Sequence, residues 1–89
     1  MARYSVMTWK GIPSAVRAQD AAGRVKRELP DWFAQEIDRV AMRDGLIGSD
    51  EYLAAWEWSK PIERPGTAEE VVGAVVAELL AEWGRPVGE

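Results

Sequence analysis

The chain has 89 residues, enough for one small domain over residues 1–89, and its 47% hydrophobic and 29% charged residues are typical of a folded globular protein. Cysteine and histidine are both absent, which excludes disulfide frameworks, thiol chemistry, imidazole ligation and Ser-His triads. No apolar run is long enough to span a membrane and no export signal is evident. We therefore expect a cytoplasmic protein with no membrane partner.

Charge is distributed unevenly along the chain. Residues 1–30 carry six Lys or Arg against two Asp or Glu, whereas residues 49–89 carry three against nine, and the net charge is −4. Attraction to phosphate requires a basic surface that outweighs the rest of the protein. We therefore expect no nucleic-acid partner.

Two strands are predicted near the N-terminus. "ARYSVMTW" (2–9) alternates residue by residue as a half-buried strand does, and "KGIPS" supplies Gly and Pro for a turn. "AVRAQD" (15–20) can return as the second strand of a hairpin. "AAGRVK" (21–26) is interpreted as a connector.

A helix is predicted from Pro30 to Asp44. Proline suits a helix start, and Gly45 suits the left-handed residue that follows a helix end. One face of this helix is apolar and holds Phe33, Ala34, Ile37, Val40 and Ala41. Trp32 lies off that face, on the side occupied by Glu36, Arg39 and Arg43.

"YLAAWEWSKP" (52–61) permits two interpretations. As a strand over residues 53–60, it places Tyr52, Ala54, Trp56 and Trp58 on one side and ends before Pro61. A single helical turn over residues 50–54, capped by Ser49, is the alternative. The strand is favoured because a helix would scatter the aromatic rings around its axis.

The last helix is predicted from Thr67 to Trp83. "TAEE" is a capping box in which Thr67 and Glu70 satisfy each other's backbone N–H groups. Apolar residues cover about half of this helix, so it is either wedged between the sheet and its neighbour or contacts another chain. The predicted order is β-β-α-β-α, an α/β (α+β) two-layer sandwich with a three-stranded sheet and two helices on one face.

Catalytic motifs are not evident in the sequence. No glycine-rich phosphate-binding loop is present, and the carboxylate pairs Asp50-Glu51 and Glu69-Glu70 lie near predicted helix starts, where capping explains them. A hard-cation site at Asp50, Glu51 and Glu57 is conceivable but lacks the spacing of an EF-hand. We expect no cofactor, no metal and no catalytic residue.

Aromatic and basic residues supply the candidate binding surface. Trp9, Trp56 and Trp83 are interpreted as core residues, whereas Trp32 and Trp58 are candidates for exposure, and exposed tryptophan beside arginine is typical of interfaces. The cluster "GRVKREL" could hold a carboxylate or phosphate, or could be a solvated connector. The candidate partner- or ligand-binding residues are Trp32, Trp58, Arg24, Lys26, Arg27, Arg39 and Arg43.

Four stretches resemble a known family: "WKGIPSAV", "LPDWFAQEIDRVAM", "GLIGSDEYLAAWEW" and "ERPGTAEEVVGAVVAEL". They resemble the small bacterial domain named virulence factor, which is also similar to a segment of conserved virulence factor C of staphylococci. The resemblance covers nearly the whole chain. It implies no reaction, cofactor or catalytic residue, and it links the domain only loosely to one-carbon or corrinoid methyl-transfer enzymes.

Three functional hypotheses follow. The first, which we favour, is a non-catalytic accessory or protein-interaction domain of a bacterial cytoplasmic complex, with another protein or a second copy as partner. The second is a small-ligand module that stacks a flat molecule on Trp56 or Trp58 and holds its acidic group with Arg24 or Arg27. The third, an enzyme using carboxylates alone, is disfavoured because the usual catalytic side chains are missing.

Overall fold

The computed structural model describes residues 1–84 and shows a mixed α+β fold. Its elements are β1 (Ala2–Trp9), β2 (Ile12–Asp20), β3 (Gly23–Glu28), α1 (Asp31–Arg43), α2 (Asp50–Ala54), β4 (Trp56–Trp58), β5 (Ile62–Arg64) and α3 (Ala68–Glu82). The sheet is antiparallel in the order β3-β2-β1, and the short strands β4 and β5 pair with β1 along its other edge. The predicted fold class is therefore confirmed, whereas the three-stranded sheet and the β-β-α-β-α order are wrong.

The segment interpreted as a connector, residues 21–26, consists of a two-residue turn and the first four residues of a strand. Asp20 makes the turn because its Oδ1 accepts the N–H groups of Ala22 and Gly23 at 2.8 and 3.0 Å. The chain then returns as β3, paired with β2 from Gly23 opposite Asp20 to Glu28 opposite Ala15. Apart from the half-buried Val25, every residue of β3 is exposed, so this strand lacks the apolar alternation that marks a half-buried one.

The stretch from residue 50 to 64 contains three short elements. Ser49 caps α2 by accepting the Tyr52 N–H, so the helical turn over residues 50–54 is correct. The strand favoured over residues 53–60 is confirmed for Trp56–Trp58, but its first residues are wrong because they belong to α2. β4 follows, and Ser59 continues the pairing by exchanging hydrogen bonds with the backbone of Val6. β5 was not predicted; Arg64 at its end donates to both carboxylate oxygens of Glu78 in α3.

Both long helices begin and end close to the predicted residues. Pro30 precedes α1 and Gly45 follows it with a φ of 69°. Thr67 and Glu70 form the predicted capping box at the start of α3. These ends are set by short-range hydrogen bonds and backbone preferences, which the sequence displays directly.

The core consists of two clusters that α3 joins. One cluster lies between α3 and the sheet and contains Ala2, Val16, Ala18, Ala68, Val71, Val72 and Val75. The other lies at the end of the sheet formed by the β1–β2 turn and contains Trp9, Ile12, Leu29, Phe33, Ile37, Ala41, Leu46 and Leu80. The broad apolar surface of α3 is explained by its position against the sheet and α1. This is the wedged arrangement, so that surface gives no argument for a contact with another chain.

The Asp20 carboxylate generates a pH-dependent prediction. Its pKa is held below the ordinary value, first by the Ala68 N–H and then by those of Ala22 and Gly23. A lowered folded-state pKa means that the charged group stabilises the fold above about pH 4, and that this contribution is lost as the pH falls through the lowered pKa. We expect Asp20→Asn to lower the melting temperature at pH 7, and to lower it progressively less between pH 4 and pH 2.

Circular dichroism melts of the parent and the variant over this pH range measure the difference. Asp38→Asn is the matched control, because Asp38 is exposed on α1, and we expect a small effect at every pH. An Asp20→Asn deficit that is the same at pH 7 and pH 2 would show that the charge of the carboxylate is not what stabilises the turn.

Candidate functional site: the open face of the sheet

Strand alternation separates the sheet into two chemically different faces. The face against α3 carries Ala2, Tyr4, Val6, Val16, Ala18 and Val25, which are paired in register across β1, β2 and β3. The opposite face, which we call the open face, carries Arg3, Ser5, Met7, Arg17, Gln19, Arg24 and Lys26. A side chain on one face of a strand cannot reach the other face. Because α3 packs on the other face, it does not cover these seven residues.

A cleft of about 710 Å³ lies on the open face. Four basic side chains line it, from Arg3, Arg17, Arg24 and Lys26, and no acidic side chain does. Glu63 approaches Arg3 to 3.9 Å at the rim, but both side chains are well exposed, so this ion pair is weak. The cleft is a region of concentrated positive charge on a chain whose net charge is −4.

Trp58 forms one wall of the cleft and lies beside Arg17. The Arg17 guanidinium carbon is 4.0 Å from the centre of the Trp58 ring, within the range of a cation–π contact. Trp58 reaches this position because β4 places it opposite Met7 of β1. The site therefore combines a planar cation with an aromatic ring, as many binding hot spots do.

Like charges face each other directly across two strands of the open face. Arg17 of β2 lies opposite Lys26 of β3, and both side chains are exposed on the same side of the sheet. Directly opposed like charges destabilise a sheet. This pair therefore weakens the β2–β3 pairing unless an anion lies between or above the two cations.

The predicted binding residues are divided between three surfaces. Trp58, Arg24 and Lys26 come together in the cleft, as hypothesised for a ring and a basic cluster. Arg27 belongs to the other face, where its guanidinium lies beside Gly73 of α3. Arg39 and Arg43 lie on α1, where Arg39 donates to Glu36 at 2.6 Å and Arg43 donates to Asp44 at 3.2 Å.

Trp32 is half-buried within a group of aromatic rings. Its ring lies 5.0 Å from Phe33 and 6.2 Å from Trp83, centre to centre, and it packs against the core cluster at the end of the sheet. The helical wheel places Trp32 on the polar side of α1. A wheel of α1 alone does not include α3, however. The C-terminal end of α3 brings Trp83 over the same side of α1.

Three exposed polar residues of the cleft were not among the predicted candidates: Arg3, Arg17 and Gln19. Their signal was present in the alternation of β1 and β2, where Arg3 and Arg17 each lie between two residues that face the core and Gln19 follows one. Arg17 and Gln19 are neighbours of Lys26 and Arg24 only because β3 pairs with β2. Since β3 was interpreted as a connector, the sequence did not bring the four basic residues together.

Carboxylates do not assemble into a cation site in the part of the chain that the structure describes. Among residues 1–84, no three Asp or Glu side chains are arranged to hold a metal ion together, so the site considered at Asp50, Glu51 and Glu57 is not formed. Glu69 and Glu70 lie in the first turn of α3, and Glu70 closes the capping box. None of the helices within residues 1–84 is long and apolar enough to cross a membrane.

Comparison with known proteins identifies one family. A family model described as "Virulence factor" matches residues 7–86, which covers the open face apart from Arg3 and Ser5 and agrees with the resemblance seen in the sequence. No curated protein and no solved structure matches the chain. The further similarity to conserved virulence factor C therefore stays a prediction.

The position of Trp32 generates a stability prediction. Because Trp32 packs against Phe33 and Trp83, we expect Trp32→Ala to lower the free energy of unfolding by about 1 to 3 kcal/mol. Trp58→Ala is the matched control, since Trp58 contacts an exposed arginine in an open cleft, and we expect it to cost less than about 1 kcal/mol. Urea denaturation followed by circular dichroism measures both values. Equal stabilities of the Trp32→Ala variant and the parent would contradict the packing of this ring.

Proposed function

Since the chain belongs to the virulence factor family, whose description names no reaction, we propose that it is a non-catalytic binding domain. Its open face would dock an acidic surface of another protein. The observation that carries this proposal is the cleft lined by four basic side chains and no acidic one. A partner that presents carboxylates would gain from all four cations at once, because they lie on one surface.

Two features of the open face favour binding over a purely solvated surface. The first is the directly opposed pair of Arg17 and Lys26. The repulsion between these two cations does not stabilise the fold, and an anionic partner would relieve it. The second is the stacking of Arg17 on Trp58, because Arg and Trp dominate the energetics of protein interfaces. Both features lie in the same cleft.

The setting that we propose is an accessory role in a bacterial cytoplasmic complex. A chain without cysteine forms no disulfide, as is usual for proteins of a reducing compartment. The absence of histidine and cysteine removes the side chains that most catalytic sites rely on, which supports a role in binding rather than in a reaction.

Charge reversal of single residues tests the proposal. We expect Arg24→Glu to weaken capture of the partner from a lysate of the native host by at least tenfold, because it places a negative charge in the cleft. Arg43→Glu makes the same change of charge on α1, outside the cleft, and should alter capture by less than twofold. Quantitative mass spectrometry of the proteins retained by the parent and each variant gives the ratios.

The same experiment separates the possible partners. A protein lost with Arg24→Glu and kept with Arg43→Glu supports docking on the open face. If the retained species is a second copy of this chain, analytical ultracentrifugation of the parent and of Arg24→Glu will show a change in molecular mass. Capture that is unaffected by Arg24→Glu would overturn the proposal, since the cleft would then take no part in binding.

A small-ligand module is the second candidate, favoured by the size of the cleft and by Trp58. A volume of about 710 Å³ falls in the range of small-molecule sites, which is roughly 300–1,000 Å³. A flat, anionic ligand could stack beside Trp58 while Arg24 or Lys26 holds its acidic group. The panel to be tested includes folates and corrinoids, because the family resemblance links the domain to one-carbon and corrinoid methyl transfer.

Tryptophan fluorescence distinguishes this candidate. We expect a bound ligand to quench the emission of the parent, and to quench that of Trp58→Phe much less, because the other four tryptophans lie outside the cleft. Equal quenching of both proteins would place the ligand elsewhere and contradict stacking on Trp58.

A further inference from the structure

We propose that an acidic partner adds an extended segment to the edge of β3, as a further antiparallel strand of the sheet. This inference rests on the proposed function and specifies how the acidic protein is held. Within the described residues, β3 is the edge of the sheet and pairs with β2 alone. Its unpaired backbone groups lie directly beside the basic side chains of the cleft.

The backbone of β3 presents its free hydrogen-bonding groups at alternate residues. Leu29 donates its N–H to the carbonyl of Ser14 in β2, and a two-residue turn joins Asp20 to Gly23. Antiparallel pairs alternate between hydrogen-bonded and non-hydrogen-bonded positions. The N–H groups of Val25 and Arg27 therefore point toward β2, and those of Arg24, Lys26 and Glu28 point away from the sheet.

The residues with free backbone groups are also those whose side chains lie on the open face. Arg24 is paired with Gln19, and Lys26 is paired with Arg17, so both side chains face the cleft. Directly opposed residues of two antiparallel strands have side chains on the same face, at hydrogen-bonded and non-hydrogen-bonded positions alike. A strand added to β3 would place two of its side chains beside Arg24 and Lys26, and a third beside Glu28.

The charges of the edge define the sequence that fits. Carboxylates are favoured opposite Arg24 and Lys26, and a basic residue is favoured opposite Glu28. Read antiparallel to β3, the partner segment has the pattern basic-x-acidic-x-acidic. The two x residues lie on the α3 side of the sheet, beside Val25 and Arg27, where a β-branched side chain suits a strand.

Charged edge strands also discourage unwanted pairing between sheets. A strand with lysine and arginine repels a basic strand and disfavours an apolar one, which would remove the charges from water, but it attracts one that carries carboxylates at the matching positions. The same charges therefore exclude most segments and select acidic ones. Pairing through the backbone provides affinity, while the alternate side chains provide specificity.

A short synthetic peptide tests the proposal. The probe is a fluorescein-labelled peptide with the central sequence Lys-Val-Glu-Val-Glu, whose binding is followed by fluorescence anisotropy at low salt. Two N-methylated forms are compared. Methylation of the two glutamate nitrogens removes the N–H groups that face β3, and we expect binding to weaken at least tenfold. Methylation of the two valine nitrogens, which face away from β3, should leave affinity within about twofold.

Two variants of the protein test the same backbone hydrogen bonds from the side of β3. Lys26→Ala removes the charge and keeps the backbone N–H, whereas Lys26→Pro removes both. Proline is tolerated on an edge strand where the N–H faces solvent, and circular dichroism will show whether each variant is folded. We expect Lys26→Pro to bind the unmethylated peptide at least fivefold more weakly than Lys26→Ala does.

The outcomes separate this inference from the proposed function. If the two methylated peptides bind alike and Lys26→Pro equals Lys26→Ala, strand addition is overturned, while loss of binding with Arg17→Glu would still support docking on the open face. If Arg17→Glu binds the peptide as the parent does, both are overturned. Preference for an oligodeoxythymidylate strand over the peptide would overturn both as well, because it would identify a nucleic-acid surface.

Discussion

The Asp20 carboxylate is the constraint on which the arrangement of the sheet and α3 depends. One oxygen accepts the N–H groups of Ala22 and Gly23 and forms the turn into β3, while the other accepts the Ala68 N–H at 2.7 Å. A single side chain thus joins the β2–β3 hairpin to the first turn of α3. Because the start of α3 is fixed at that end of β2, the helix lies along one face of the sheet. The other face is left to the charged residues of the strands.

Trp9 performs the corresponding role at the opposite end of the sheet. It is fully buried, and its indole N–H donates to the Tyr52 carbonyl at 2.9 Å. This hydrogen bond ties the end of β1 to α2, and β4 follows α2 with only one residue between them. The position of Trp58 in the cleft therefore depends on a buried residue at the far end of the same strand pair. Asp20 at one end of the sheet and Trp9 at the other therefore fix the positions of Arg24 and Trp58 on the two sides of the cleft.

The elements of this fold that could be predicted are those formed by interactions between residues close together in the sequence. The ends of α1 and α3 were predictable because caps and glycine stops act over a few residues, as the pair Thr67 and Glu70 illustrates. β3 was not predictable, because an edge strand with little burial shows no apolar alternation in its sequence. It is stabilised instead by its pairing with β2. The strand predicted over residues 53–60 was correct at Trp56–Trp58 but began too early, because Ser49 caps a helical turn over the preceding residues.

The candidate site was predictable for some of its residues but not as a surface. Trp58, Arg24 and Lys26 were identified by residue type, yet their convergence with Arg3 and Arg17 depends on the register of three strands. Trp32, a candidate for exposure, is half-buried, because a helical wheel does not include the neighbouring helix that covers part of its ring. A wheel or a strand pattern defines which side chains share a face. Only tertiary pairing decides which of those faces remains uncovered.

The charge distribution of the open face is better explained by binding than by folding. Arg17 and Lys26 oppose each other, although a pair of opposite charges at the same positions would stabilise the β2–β3 hairpin. The excess of acidic residues lies in the second half of the chain, and the cleft contains none of them. Apart from the weak ion pair of Arg3 with Glu63, neutralisation within the cleft comes from solvent ions or from a partner. A partner that supplies carboxylates removes this repulsion on binding, so its affinity and the stability of the hairpin are linked through the same two residues.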